Sequence, residues 1–398
     1  MLFSLEVLEA KHGDCLLLHY GTVQNPKIIL IDGGPDGVYN GVLKPRLLII
    51  KDAISETKPL KLEMVMVSHA DDDHINGIVE LTDNMLKNET VGKPQDFQID
   101  DMWFNAFDDI IGNKEIPIEV SYSSTGEAKI ANTINGDFLD GVDEHTIAVI
   151  ASVDQGRNIR DNTRELGIHM NSPYTAMQPG NSVLVRGDTE FSIVDFEGLK
   201  ITVLHPNEQR LQELQKKWDQ ELKKLETKGD KKIAFATLTS LDKSPFNLSS
   251  IVCLVEFGGK KILFTGDGRS DDILDGLAQN NLLDANGKFH VDVLKIPHHG
   301  SVANMRPNLL KQVTADHYVI SADGKHDNPD QALLDMFRLN VSKGTLHLTN
   351  RTGKKGLQKK LDAFLKALSS TGHQLQVKFR AEDKSSMILN LHSESVSY

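Results

Sequence analysis

His69 and His74 bracket three consecutive aspartates, Asp71 to Asp73, in the stretch SHADDDHINGI at residues 68–78. Imidazoles and carboxylates packed this closely are the donor types that hold divalent cations. A solvated acidic loop would share the charge density, but it has no reason to bracket its carboxylates with two histidines. The apolar run EMVMV leads into the stretch, and INGIVELTDNMLKN (75–88) follows with helical period. The cluster is therefore expected in a loop at the C-terminal edge of a strand, where open α/β sheets gather ligands. His69, Asp71, Asp73 and His74 are the candidate donors on that turn, with Asp72 pointing away or contributing only charge.

The rest of the chain repeats the pattern. Asp32 ends the apolar run ILID and is followed by two glycines that permit close backbone approach. His205 ends TVLH, Asp267 ends LFTGD, and the adjacent His298 and His299 end LKIPHH. One such residue is ordinarily a cap or a satisfied polar group in the core. Five strand ends carrying metal-ligating residue types, counting His69, are hard to assign to chance.

In this order (DGG, an HxDxDH loop, a lone histidine, TGD, HHGS) the chain resembles the metallo-β-lactamase-fold hydrolases. Within them it is most similar to the hydrolase domain of ComEC-type competence proteins and their stand-alone relatives. HGDCLLL with Gly13 and Asp14, the Asp71 variant of the ligand loop, Asn247 and Ser250, PHHGS, and KHDNP after ISAD carry the likeness, over about residues 5–355. It implies an α/β fold, a four-layer αββα sandwich formed as one domain over residues 1–398. Segments 90–190 and 207–245, which have no counterpart, would be an inserted lid and a helical arm.

The resemblance also implies a dinuclear centre. His69, Asp71 and His205 would hold one cation; Asp73, His74 and one of His298 or His299 the other; Asp267 would bridge them. Asp32 would hold a ligand histidine by a hydrogen bond, and His326 would contact a leaving group or a phosphate oxygen, unless it is simply a loop histidine near a helix start. Asp73, His326 and Asp32 are thus the catalytic candidates, in a two-metal hydrolysis that needs no nucleophilic side chain. Asp71 stands where the commoner pattern has histidine, and a carboxylate is the harder ligand. Manganese is therefore expected alongside zinc, with magnesium possible.

The elements that must position these residues read as strands at 2–8, 15–20, 27–32, 63–68, 191–206 and repeatedly after 249, alternating with helices at 42–55, 75–88, 270–282, 329–338 and 355–369. Strands close the chain near 374–380 and 386–392. Between 90 and 190 only short helices near 126–135 and 142–153 are expected. Residues 207–228 read as a polar helix with one narrow stripe, Leu211, Leu214, Trp218, Leu222 and Leu225, which packs on the body or docks a protein partner.

Composition bounds the function. The 398 residues carry a formal charge of −12, with 39% hydrophobic and 25% charged residues, as in a globular protein. Broad electrostatic coating of nucleic acid is excluded, but a nuclease is not, because bound cations invert the local field. Cys15 and Cys253 lie in apolar strands and read as buried thiols rather than a disulfide. No membrane-length apolar run and no leader pattern is present, so a cytoplasmic location is expected. His12, His19, His145, His169, His290, His317, His347, His373 and His392 read as structural or surface residues. Metal-dependent cleavage of a phosphodiester, DNA or RNA included, leads the readings. Behind it stand a small-substrate hydrolase (cyclic nucleotide, phosphocholine-type ester, lactam or thioester) and a partner-activated effector or scaffold, of the kind the resemblance places in bacterial defence or toxin operons.

Overall fold

The computed structural model describes residues 1–55, 57–110, 144–172, 193–196, 198–213 and 249–396, with 120–122, 128–130, 174, 216 and 398. It is a mixed α/β protein with two large sheets. The first runs His169–Met170, Asp101–Trp103, Met64–Met66, Pro26–Ile31, Leu16–Gly21, Leu2–Leu8, Ser386–Asn390. Its first four strands pair in parallel and the rest antiparallel. The second runs Ile193–Phe196, Leu199–His205, Val252–Phe257, Lys260–Phe264, Phe289–Lys295, Val313–Ile320, Lys343–Leu348, Gln374–Phe379, antiparallel at the start and parallel from Lys260–Phe264 onward.

Strand alternation decides which faces are buried. In LFSLEVL, Phe3, Leu5 and Val7 point to one side and join Leu18, Ile31 and Trp103. Val203, Val255, Phe264 and Val293 of the second sheet enter the same cluster, so the two sheets share a core. Leu8, Leu17, Leu30 and Val65 face the other way and pack on Leu47, Ile50, Ile78 and Leu81 of the helices Lys44–Ile54 and Asp72–Thr90. On the far face of the second sheet, Leu254, Leu263 and Leu294 meet Ile273, Leu309, Leu334 and Leu361 from four further helices. Each fully buried side chain of this size stabilises the fold by about 1.5–3 kcal/mol. Cys15 and Cys253 are free and buried, and burial raises both thiols, Cys253 to about 12.

Three local expectations are corrected. The helix expected from residue 75 starts at Asp72, because Asp72 and Asp73 favour the positive end of a helix. Part of the expected 126–135 helix is a strand, Ala128–Ile130, where antiparallel pairing with Val120–Tyr122 overrides local propensity. The short helix expected at 142–153 runs from Glu144 to Glu165. Its second half carries poor helix formers, but Ile159 is buried, and Gly156 lets the backbone lie against Phe104 and Ala70. Among the described residues of segment 90–190, Asp101–Trp103 and His169–Met170 are strands of the first sheet and the Glu144–Glu165 helix packs on Asp72–Thr90; residues 111–119, 123–127, 131–143, 173 and 175–190 lie outside the described residues. Of the helical arm, Leu211 is buried and Arg210 pairs with Asp272 at 2.8 Å; Leu214, Trp218, Leu222 and Leu225 lie outside the described residues. No helix among the described residues is long and apolar enough to cross a membrane.

One glycine in the opening motif has a packing reason. Gly77 N donates to Gly34 O at 3.0 Å, and a Cβ on Gly77 would overlap the Gly33 carbonyl. Both contacting atoms are backbone, so neither can rotate aside. Gly77→Ala is expected to destabilise by about 2–4 kcal/mol, read as a shifted urea midpoint. An unchanged midpoint would show that the loop yields freely.

Candidate metal centre

Strand polarity assembles the site. Met64–Met66, Pro26–Ile31, Lys260–Phe264 and Phe289–Lys295 all end at one rim, followed there by Ser68–His69, Asp32, Asp267 and His298–His299. Backbone hydrogen bonds stitch these ends together: Ile251 N to Ser68 O at 2.8 Å, His298 N to Gly266 O at 3.1 Å, and Gly33 N to His74 O at 2.7 Å. His298 and His299 both adopt left-handed backbone, φ 51° and 53°, ahead of Gly300 at 87°. Non-glycine residues in that region cost about 1–3 kcal/mol each and gather at functional sites. Here the strain turns two neighbouring imidazoles onto one carboxylate.

That carboxylate is Asp267, which is 1% exposed. Its Oδ2 lies 3.6 Å from His69 Nε2 and 3.6 Å from His298 Nε2, and Asp71 Oδ2 lies 3.5 Å from the same His69 nitrogen. Its Oδ1 lies 3.2 Å from His74 Nε2 and 3.7 Å from His299 Nε2, while Asp73 Oδ2 is 3.3 Å from that His299 nitrogen. Two donor sets thus flank opposite oxygens of one buried carboxylate.

The proton inventory tests whether a cation fits. His74 Nδ1 donates to Asp32 Oδ2 at 2.9 Å and His299 Nδ1 to the Ser321 carbonyl at 3.2 Å. With those protons engaged, each neutral ring presents a bare lone pair on Nε2, yet the two Nε2 atoms are 3.1 Å apart. His69 Nε2 and Asp267 Oδ1 are buried with no hydrogen-bond partner among the described residues. Electron-pair donors converge with nothing positive between them, an arrangement a divalent cation relieves and water relieves only in part. The carboxylates favour positive charge at this cluster, whether a metal ion between neutral rings or protons on the rings supply it. Burial alone would push the His74 imidazolium down, but the Asp267 and Asp32 carboxylates outweigh it and hold it well above the ordinary range. His299 is held up to about 10 against burial by Asp14 and Asp267. Burial opposes charge on Asp267 and Asp73 too, and the surrounding imidazoles keep both well below the usual carboxylate range.

Several supporting residues lie outside the candidate donors read from the sequence. Ser68 Oγ donates to Asp32 Oδ2 at 2.8 Å and sits 3.0 Å from His69 Nδ1, so it shares its position between the two ends of the histidine loop. Lys295, 1% exposed, pairs with Asp14 at 2.7 Å, and Asp14 lies 3.6 Å from His299 Nδ1. A lysine closing an apolar strand and the HGD triplet were the available clues. Asp72 accepts from Gln155 at 2.9 Å and Asn76 at 3.2 Å, away from Asp267.

The chain matches no protein-family model and no curated protein.

His69, His74, His298 and His299 all stand within 3.7 Å of Asp267. His205 is buried at the end of Leu199–His205, at a bulge opposite Val252. Both His298 and His299 reach Asp267, where one was expected. His326 stacks edge-on with His12 at 5.6 Å.

Proposed function

We propose that this chain is a metal-dependent hydrolase of the metallo-β-lactamase-fold type, related to the ComEC-type hydrolases, that cleaves phosphodiesters at a dinuclear centre. The observation that carries the reading is Asp267, each of whose oxygens faces its own set of imidazole and carboxylate donors. His69, Asp71 and His298 would hold one cation, and Asp73, His74 and His299 the other. The three hydrophobic clusters, with helices outside two core-sharing sheets, support the four-layer αββα arrangement. Bound cations would supply Lewis acidity toward a phosphoryl oxygen and would acidify a water.

The chain's own residues do the rest. Asp32 and the Ser321 carbonyl fix the tautomers of His74 and His299, so each ring offers Nε2 inward. Burial of Asp267, His69 and His74 limits water to the reacting face. Asp71 supplies a third carboxylate to the donor sets, which favours manganese or magnesium over a purely zinc-selective site.

The test is metal stoichiometry followed by turnover. Chelator-stripped protein reloaded with Mn²⁺, Zn²⁺ or Mg²⁺ is expected to bind about two ions per chain and to hydrolyse bis-p-nitrophenyl phosphate, with plasmid DNA and RNA as further substrates. Fewer than about one ion per chain after reloading rules out the centre. Two bound ions with hydrolysis of a lactam or thioester, and none of phosphodiesters, replaces the substrate class.

A further inference from the structure

A basic cluster stands beside the centre on a loop pair the mechanism above does not use. Lys325 Nζ donates to His12 Nε2 at 3.0 Å, and His326 meets the His12 ring edge-on at 5.6 Å. The residues come from the HGD turn and the KHDNP loop, more than 300 positions apart in sequence (|i−j| 313 for the Lys325 bond). Both segments are anchored to the ligand loops. Asp14 N donates to Asp73 O at 3.2 Å, and a side chain on Gly13 would overlap that same carbonyl. On the other side Asn328 Nδ2 donates to His298 O at 3.4 Å, and Asp330 N to Gly300 O at 3.0 Å. Among nearby charges Asp73 acts most strongly on His12, and Lys325 acts on Asp72.

Two of the residues keep hydrogens that no described group accepts. Lysine can only donate, so His12 Nε2 accepts, and the neutral ring carries its hydrogen on Nδ1. That Nδ1 is buried with no hydrogen-bond partner among the described residues. Asp323 in the same loop is engaged elsewhere: its Oδ1 accepts from the Lys325 backbone N at 2.8 Å and its Oδ2 pairs with Lys354 at 3.3 Å. The Lys325 ammonium therefore keeps two hydrogens and has no carboxylate partner among the described residues. In a chain of net charge −12, a lysine and two imidazoles gathered beside an acidic loop need a reason.

We infer that His12, Lys325 and His326 form an anion-binding rim that takes a non-bridging phosphoryl oxygen of the substrate beside the Asp73 side of the centre. The inference rests on the phosphodiesterase reading for its ligand class and deepens it. A phosphoryl group offers several anionic oxygens, so a rim of fixed donors would orient the oxygen that the centre leaves free. A lactam or thioester lacks that oxygen.

Calorimetric titration of inorganic phosphate into Mn²⁺-loaded, desalted protein reads the rim without turnover. Lys325→Ala and His12→Ala are each expected to weaken phosphate binding about tenfold, with metal content unchanged and acetate binding unaffected. Lys325→Arg should restore affinity to within about threefold, which separates loss of charge from loss of fold. Phosphate affinity within about twofold of wild type in both alanine variants overturns the rim, and so does wild-type protein that fails to bind phosphate. Failure of the hydrolase reading looks different: wild-type protein binds phosphate through the rim, yet no cation gives turnover of any phosphoester.

Discussion

Asp267→Asn is expected to abolish the centre while leaving the fold intact. The asparagine retains the backbone contacts that hold the loop, from Asp267 N to Ser250 Oγ at 3.1 Å and from Asn304 Nδ2 to Asp267 O at 2.5 Å. It loses the charge that faces four imidazoles at once. Removing a ligand common to both donor sets should drop metal content below about one ion per chain and turnover by at least about 10³-fold, roughly 4 kcal/mol of barrier. Plasma emission spectrometry on reloaded protein reads the first, and bis-p-nitrophenyl phosphate the second. If the variant keeps two ions per chain, the bridging role falls. His205→Ala sharpens the comparison: the proposed set draws on His298, so metal content should stay at the wild-type level, and a loss of one ion would put His205 in the set.

Acid stability provides the second large effect. Glu6 is fully buried between Leu2–Leu8 and the helix Lys44–Ile54. It accepts from Arg46 Nε at 2.7 Å, Arg46 Nη2 at 3.1 Å and His19 Nε2 at 3.0 Å. Burial opposes its charge, but these partners win and lower its pKa from 4.5 to about 2. A depressed carboxyl contributes stability above its unfolded pKa and loses it as pH falls through the folded one. The loss therefore falls between about 4.5 and 2, and at 1.36 kcal/mol per unit it amounts to about 3 kcal/mol. Glu6→Gln leaves Arg46 buried without its counter-charge and should cost about 3–5 kcal/mol at pH 7. Urea unfolding at pH 7, 4 and 2.5 reads both: the gap between wild type and variant should close as pH falls. A gap that stays constant with pH would locate the stabilisation elsewhere.

What the sequence discloses follows from what is local. Apolar strands running into Asp32, His69, Asp267 and His298–His299 are readable because period and residue type sit side by side in the chain. The sheets and most helices were legible for the same reason. Ser68, Lys295 and His12 acquire their roles from approaches between distant loops, which no window of sequence contains. His205 also ends a strand, and the bulge at Val203–His205 that sets its register against Val252 leaves little trace in residue type. The Glu144–Glu165 helix outruns the expected 142–153 through distant contacts: Gly156 permits close packing on Phe104, and Asn162 Nδ2 donates to Asp83 at 2.7 Å and Thr82 at 3.0 Å.

The donors around Asp267 come from both sheets: His69, Asp71, Asp73 and His74 follow a strand of the first, and Asp267, His298 and His299 follow strands of the second. Neither half of the chain holds a complete set. During folding the site cannot exist until the two sheets have closed on their common core, so its assembly reports a long-range step rather than a local one. A half-folded or unfolded chain offers a cation only scattered single donors. Any ion held there binds the finished molecule almost exclusively, and so works as a latch across the seam, adding stability in proportion to the logarithm of its free concentration.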